Sequence, residues 1–159
     1  VAGPPRPFKK EVKSMYFVDR AKVEATLVYL EKQISLFSSQ SNWQTPLEIA
    51  ALERITQMML ESVLDVGNAV IDGFIMRDPG SYEDIIDILM DEKVVSGETG
   101  GSLKTLILFR KQLVQSYTEI NHQQLIEEFT KHLPALSLFS VNVRDFLTNE
   151  LGPVSAFKN

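Results

Sequence analysis

The chain has 159 residues, 44% of them apolar, no cysteine and a formal net charge of −5. That length and apolar share fit one domain with a sizeable core and exclude a largely disordered chain, while the missing cysteines exclude disulfides and thiolate chemistry, which suits a reducing cytoplasm. The charge is uneven, +3 over the first fourteen residues but 12 basic against 20 acidic side chains from Met15 onward, so bulk attraction to a phosphate backbone is excluded and RNA can bind only through a local basic cleft.

Val1 to Ser14 carries Pro4, Pro5, Pro7 and Gly3 with almost no apolar periodicity. It reads as an extended arm or an added leader, with a basic arm that grips RNA as the functional alternative. Met15 is the expected start, and residues 15–159 form the expected single domain. Asp19 can cap a helix running to about Phe37, with Val23, Leu27, Leu30, Ile34 and Phe37 at helical spacing. Ser38 to Asn42 is then a polar loop, and the lone tryptophan, Trp43, is a loop anchor on the core. Thr45-Pro-Leu-Glu48 is a strong start signal, because Thr at the N-cap, Pro at the first helical position and Glu three residues on satisfy the free amides together. The helix that follows, to about Phe74, is apolar through Leu52, Ile55, Met59, Val63, Val66 and Val70, with Leu60, Leu64 and Ile71 widening that face. Its polar stripe is Arg54, Gln57, Glu61, Asp65, Asn68 and Asp72. The near all-round apolar character has more to cover than one small bundle easily supplies.

Asp78-Pro-Gly-Ser81 predicts a turn, and Ser81 starts a third helix with Ile85, Ile86, Ile88 and Leu89 inside. Ser96 caps a fourth, loosened by Gly97, Gly100 and Gly101 before Leu103 to Tyr117 settles into helical pattern. Asn121-His-Gln-Gln124 has capping-box form, and the last helix, or pair, runs toward Glu150 with Pro134 expected to kink or break it. Gly152-Pro153 is a stop. No run alternates as a strand would, so the class is all-α. His122 and His132, ten apart without a Glu-x-x-His pattern, read as two solvated helix-surface histidines, and no metal or other cofactor is expected. The longest apolar runs fall far short of the roughly 20 residues that span a bilayer, so the expectation is a soluble, cytoplasmic protein.

Arg110-Lys-Gln-Leu-Val-Gln115-Ser-Tyr117 resembles the Arg-x-x-x-x-His-x-Tyr motif of HEPN domains, in particular the HepT toxins that cut RNA without metal, and Gln115 stands where the motif has its histidine. Leu52 to Asn68 resembles the long second helix of HepT-like proteins, and Met76-Arg-Asp-Pro-Gly-Ser-Tyr82 resembles their Arg-x-Pro-x-Ser-Tyr turn. Val94-Val95, followed by the Arg110 helix, completes the order. The similarity covers about Leu47 to Glu150, and from Met15 to Lys158, including Leu151-Gly-Pro-Val-Ser-Ala-Phe157, the chain resembles the YutE-like branch of that family.

The resemblance implies a four- or five-helix antiparallel bundle that pairs as a two-fold dimer, with the motif helices bordering a shared cleft that can take RNA. It also implies that the motif histidine is the acid/base, that the arginine steadies the phosphate, and that a partner nucleotidyltransferase can silence the toxin by adding an adenylyl group to the tyrosine. An amide neither takes up nor gives up a proton near neutral pH, so Gln115 implies an RNase-type protein whose own cleavage is weakened or lost. The alternative is a non-catalytic homodimeric interaction or regulatory protein that holds a protein or nucleotide partner in the cleft.

Each site residue also has a structural reading. Arg110 lies between Phe109 and Leu113, where an unpaired charge is costly, so it needs a partner such as Glu61 or Asp65; a structural ion pair and a phosphate-facing arginine both fit. Tyr117 is either a half-buried packing residue or the modification acceptor. Glu61, Asp65 and Asn68 either flank the cleft or form a solvated stripe. At roughly 100° per residue Arg110 and Tyr117 share a helical stripe while Gln115 lies about 140° from Arg110, so bringing all three together needs a second copy or a local unwinding.

Overall fold

A computed structural model describes residues 18–152 of the chain. The arm expected over residues 1–14, the start at Met15 and the segment from Pro153 onward lie outside the described residues. Six helices appear among the described residues: α1 (Arg20–Ser39), α2 (Pro46–Gly73), α3 (Tyr82–Asp91), α4 (Gly97–Ile107), α5 (Arg110–Val114) and α6 (His122–Leu151). None of the described residues is in a strand, so the chain is all-α as its periodicity requires.

The helix starts follow from local chemistry. The Asp19 carboxylate accepts the Lys22 N–H at 3.0 Å. Thr45 and Glu48 close both halves of a capping box, Glu48 N–H to Thr45 Oγ1 at 3.1 Å and Thr45 N–H to Glu48 Oε1 at 2.9 Å. The backbone amides of Thr45 and Gln44 hold the Glu48 carboxyl below its usual range. Ser81 and Ser96 cap α3 and α4 by accepting from Asp84 and Thr99. At Asn121 only half of the expected box forms: its side chain accepts the Gln124 N–H at 3.0 Å, whereas its own N–H goes to Gln112 on α5 at 3.1 Å. α1 runs two residues past the expected end, because Ser38 Oγ and Ser39 Oγ bond back to the carbonyls of Ile34 and Leu36 and keep the last turn closed.

α2 is the central element, packed by α1, α3, α5 and α6. Leu52, Met59, Leu60, Val63, Leu64, Val66, Val70 and Ile71 are all buried within one chain. The expectation of apolar excess on this helix therefore does not hold, since four neighbours cover it from several sides. Against α3 the approach is close: a Cβ on Gly67 would stand 2.7 Å from Cγ2 of Ile85. Phe129 and Phe139 of α6 are fully buried, and Phe37 and Phe109 stand 6.3 and 6.1 Å from Phe129, ring centre to ring centre. Trp43 stacks on Phe37 at 5.8 Å, as a loop anchor should.

Of the last helix or pair of helices expected around Pro134, the structure forms the single helix, whereas an unexpected interruption falls in the helix before it. α6 continues through Pro134 as one helix of 30 residues. Pro134 and Thr130 both face solvent, so the carbonyl that loses its donor is wet, while Phe129, Leu136 and Phe139 hold the helix to the core on the other side. The helix expected over Leu103 to Tyr117 is instead interrupted at Leu108–Phe109 and ends at Val114. There the Phe109 N–H bonds to the Leu106 carbonyl at 3.0 Å, an i to i−3 bond that tightens the turn. Phe109 is thereby buried on Phe129, and Leu108 is left 61% exposed. No described helix is long and apolar enough to cross a membrane.

Candidate functional site

Arg110 opens α5, directly after the tightened turn, and its side chain is 20% exposed. Its Nε donates to Glu61 Oε2 on α2 at 2.6 Å. Its guanidinium carbon lies over the ring of Tyr82, the first residue of α3, with Cζ 4.2 Å from the ring centre. The hydrogen bond to Glu61, with the negative field of Glu61 and Asp65, raises the Arg110 pKa further above its ordinary value. Of the two candidate partners the structure thus selects Glu61. Its two terminal nitrogens donate no hydrogen bond among the described residues.

Gln115 and Tyr117 stand elsewhere in the local geometry than a straight helix would put them. The last turn of α5 widens, with the Lys111 carbonyl accepting from both Gln115 at 2.9 Å and Ser116 at 3.0 Å, and the chain leaves the helix there. Gln115 is exposed, and Tyr117 lies in the following turn with 64% of its surface open. The stripe shared by Arg110 and Tyr117 accordingly does not exist, and Tyr117 is not the half-buried packing residue of the structural reading. The turn is nonetheless tied down: Glu119 N–H bonds to Ser116, Asn121 N–H to Gln112, and Ile120 packs on the core. Bringing the three motif residues together was expected to need a second copy or a local unwinding, and the chain does leave the helix between Val114 and Tyr117.

The remaining polar residues of α2 divide. Glu61 belongs to Arg110, whereas Asp65 and Asn68 face a groove between α1 and α2 of about 330 Å³, shared with Asp19, Lys22 and Thr26. Burial at that groove raises the Asp65 carboxyl above its ordinary range, and the charge of Glu61 one turn away adds to it, while Lys22 and Arg110 pull the other way. The histidines are not the solvated surface residues expected. His122 Nε2 lies 2.6 Å from Glu53 on α2, and His132 Nε2 lies 3.4 Å from Glu128, each in a partly buried pair. No group of three or more His, Asp or Glu side chains able to hold a metal occurs among the described residues.

Sequence pattern does not point to Tyr82 as a partner of Arg110, although Tyr82 lies in the Ser-Tyr turn that resembles the family's. The available signal was Ser81 as N-cap, which puts Tyr82 in the first turn of α3. Nothing in the pattern says which helix that turn meets.

Residues 26–143 match the profile of the family described as Ribonuclease HepT-like. The chain belongs to that family. It is 53% identical over 144 residues to YutE of Bacillus subtilis (strain 168), a proposed RNase, an alignment covering 91% of this chain and 100% of that protein. The solved structure of YutE, a cytosolic protein of unknown function, superimposes with a TM-score of 0.87 at 52% identity, over 90% of this chain and 100% of that one. A tri-AMPylated Shewanella oneidensis HEPN toxin in complex with an MNT antitoxin superimposes with a TM-score of 0.67 over 79% of this chain and 96% of that one. At 18% identity this last likeness speaks for the fold alone. The HepT-like chain thus shares its helical architecture with the toxin of a toxin–antitoxin pair.

Proposed function

We propose that this HepT-like protein is a relative of the RNase toxin of a HepT/nucleotidyltransferase pair, that its own metal-independent cleavage is weakened or lost, and that Tyr117 is the acceptor for a nucleotidyltransferase partner. The turn after α5 presents an amide at Gln115 and an exposed hydroxyl at Tyr117, and this carries the reading. A position that in the family transfers protons is here unable to do so. A hydroxyl with 64% of its residue open on a tied turn is reachable by a partner enzyme without local unfolding. RNA would enter a cleft shared by two copies, with Arg110 on a phosphate. Val28, Leu36, Leu138 and Val141, exposed on α1 and α6, supply apolar surface for pairing.

The test has two arms. Incubation with ATP, magnesium and a nucleotidyltransferase encoded beside this protein should add an adenylyl group at Tyr117, and Tyr117→Phe should abolish it. Gln115→His should raise chelator-insensitive RNA cleavage by up to roughly 10²- to 10⁴-fold, the range of a general acid–base group. If the restored histidine changes nothing while far-ultraviolet dichroism is intact, the non-catalytic interaction protein is the better reading. If Tyr117 is left unmodified by an enzyme active on another substrate, it is a surface residue only.

A further inference from the structure

We propose that Tyr82 is a positioning residue for Arg110: its ring, fixed at the first turn of α3, turns the free edge of the guanidinium toward one phosphoryl group. This rests on the reading of Arg110 as phosphate-facing. A guanidinium is a planar fork of five donors, and what surrounds it decides which of them are available. Here Glu61 takes Nε at 2.6 Å, and the guanidinium carbon sits over the Tyr82 ring, 4.2 Å from its centre. The in-plane edge formed by the two terminal nitrogens donates to nothing among the described residues. That edge matches two oxygens of a phosphoryl group side by side. Glu61 and Tyr82 together remove the rotations by which the group would otherwise turn away.

The turn and helix start that carry Tyr82 are held by several bonds. Arg77 forks onto Asp84 with bonds of 2.7 and 2.8 Å, and the Gly80 N–H adds a third to the same carboxylate at 2.8 Å. Ser81 caps the helix one residue before the ring. The turn begins at Ile75 with φ of 55°, a left-handed conformation that a β-branched residue keeps only where the surroundings fix it. The close approach of α2 and α3 at Gly67 sets the depth of the helix. Yet the ring that all this holds is 47% exposed, so burial of Tyr82 is not what the arrangement achieves. What it does achieve is a flat surface under Arg110.

The phosphoryl group can come from an RNA backbone or from a free nucleotide, and the test carries both. Binding of the full chain to a fluorescein-labelled single-stranded RNA of ten nucleotides and, separately, to ATP would be measured for the wild type, Arg110→Gln, Tyr82→Leu, Tyr82→Phe and Asp84→Asn. The Arg110 Nε–H signal and its exchange with water would be followed by nitrogen NMR in the wild type and in the variants that keep Arg110. Tyr82→Leu should weaken binding about 3- to 30-fold, the range of a cation–π contact, and speed exchange of the Nε–H, while Tyr82→Phe, which keeps the ring, should restore both. Asp84→Asn should give a smaller change of the same sign. Arg110→Gln should also flatten the dependence of log affinity for the RNA on log salt by about 0.7, one phosphate contact, whereas Tyr82→Leu leaves that slope in place. The positioning role is overturned if Tyr82→Leu binds and exchanges like the wild type while Arg110→Gln loses binding. If Arg110→Gln binds both probes as the wild type does, the phosphate reading of the site fails and takes the proposal with it. Loss with RNA alone names the backbone as the source of the phosphate; loss with ATP alone names the nucleotide.

Discussion

Arg144 and Arg110 each reach from one helix to another, and they use their donors differently. Arg144 on α6 reaches α1 and donates four hydrogen bonds: from Nε and Nη2 to Glu24 at 2.9 and 2.7 Å, and from Nη1 and Nη2 to Glu31 at 2.6 and 3.1 Å. Four of its five donors are taken and every nitrogen has a partner, and the bond to Arg144 holds the Glu31 carboxyl below its usual range. Arg110 on α5 reaches α2 with one hydrogen bond, lies on an aromatic face and keeps an edge without protein partners among the described residues. An arginine that only fastens helices gains stability from every bond it completes. One that serves a ligand has to leave donors unspent, and the surroundings then fix its plane by other means.

The comparison can be broken from the Arg110 side most severely at Gly67. Gly67→Ala would place a methyl 2.7 Å from the buried Ile85, forcing α3 away from α2. Overpacking of this kind costs about 1–3 kcal/mol, readable by urea unfolding, and the Arg110 Nε–H should lose protection as Tyr82 moves. A variant of unchanged stability would mean that Ile85 yields locally and that the Asp84 bonds alone place Tyr82.

A smaller effect separates the two ion pairs themselves. Arg144→Gln and Arg110→Gln should each cost about 1 kcal/mol at low salt, the first by leaving Glu24 and Glu31 facing one another, the second by leaving Glu61 without its charge partner. Salt should tell them apart. Glu24 and Glu31 are 53% and 42% exposed against 23% for Glu61, so the cost of Arg144→Gln should shrink in 1 M salt, about 3 Å of Debye length, more than that of Arg110→Gln. Equal salt sensitivity would erase the distinction between a surface clamp and a sheltered site.

The smallest effect is in acid. The Arg77 bonds and the Gly80 N–H hold the Asp84 carboxyl at about 2, below the ordinary aspartate value. A carboxyl depressed in the folded state stabilises fully above the unfolded value of about 4, and that contribution is lost as pH falls through about 2. Carbon NMR of the Asp84 carboxyl should titrate in that window, with the Gly80 amide losing protection alongside it. A midpoint near 4 would remove the latch from the turn that carries Tyr82.

Much of this architecture was readable from neighbouring residues. The caps at Asp19, Thr45, Ser81 and Ser96, the all-α class, the buried faces of α1 and α3, and Glu61 as one of two candidate partners for Arg110 all follow from chemistry within a turn or from periodicity along one helix. The motif order that marks a HepT-like chain is likewise linear information. Only the tertiary structure decided that α2 is covered on several sides by its own chain, that α6 passes Pro134 unbroken, and that the motif helix turns at Leu108–Phe109 and ends before Gln115. It also decided that Tyr117 is open and that Tyr82 lies under Arg110. The reason is physical: a cap or an amphipathic stripe depends on residues a few positions apart, whereas the fate of Phe109 depends on where Phe129 stands, and the plane of Arg110 on groups brought in by α2 and α3. Those positions are set by packing between helices, which no single helix records in its own pattern.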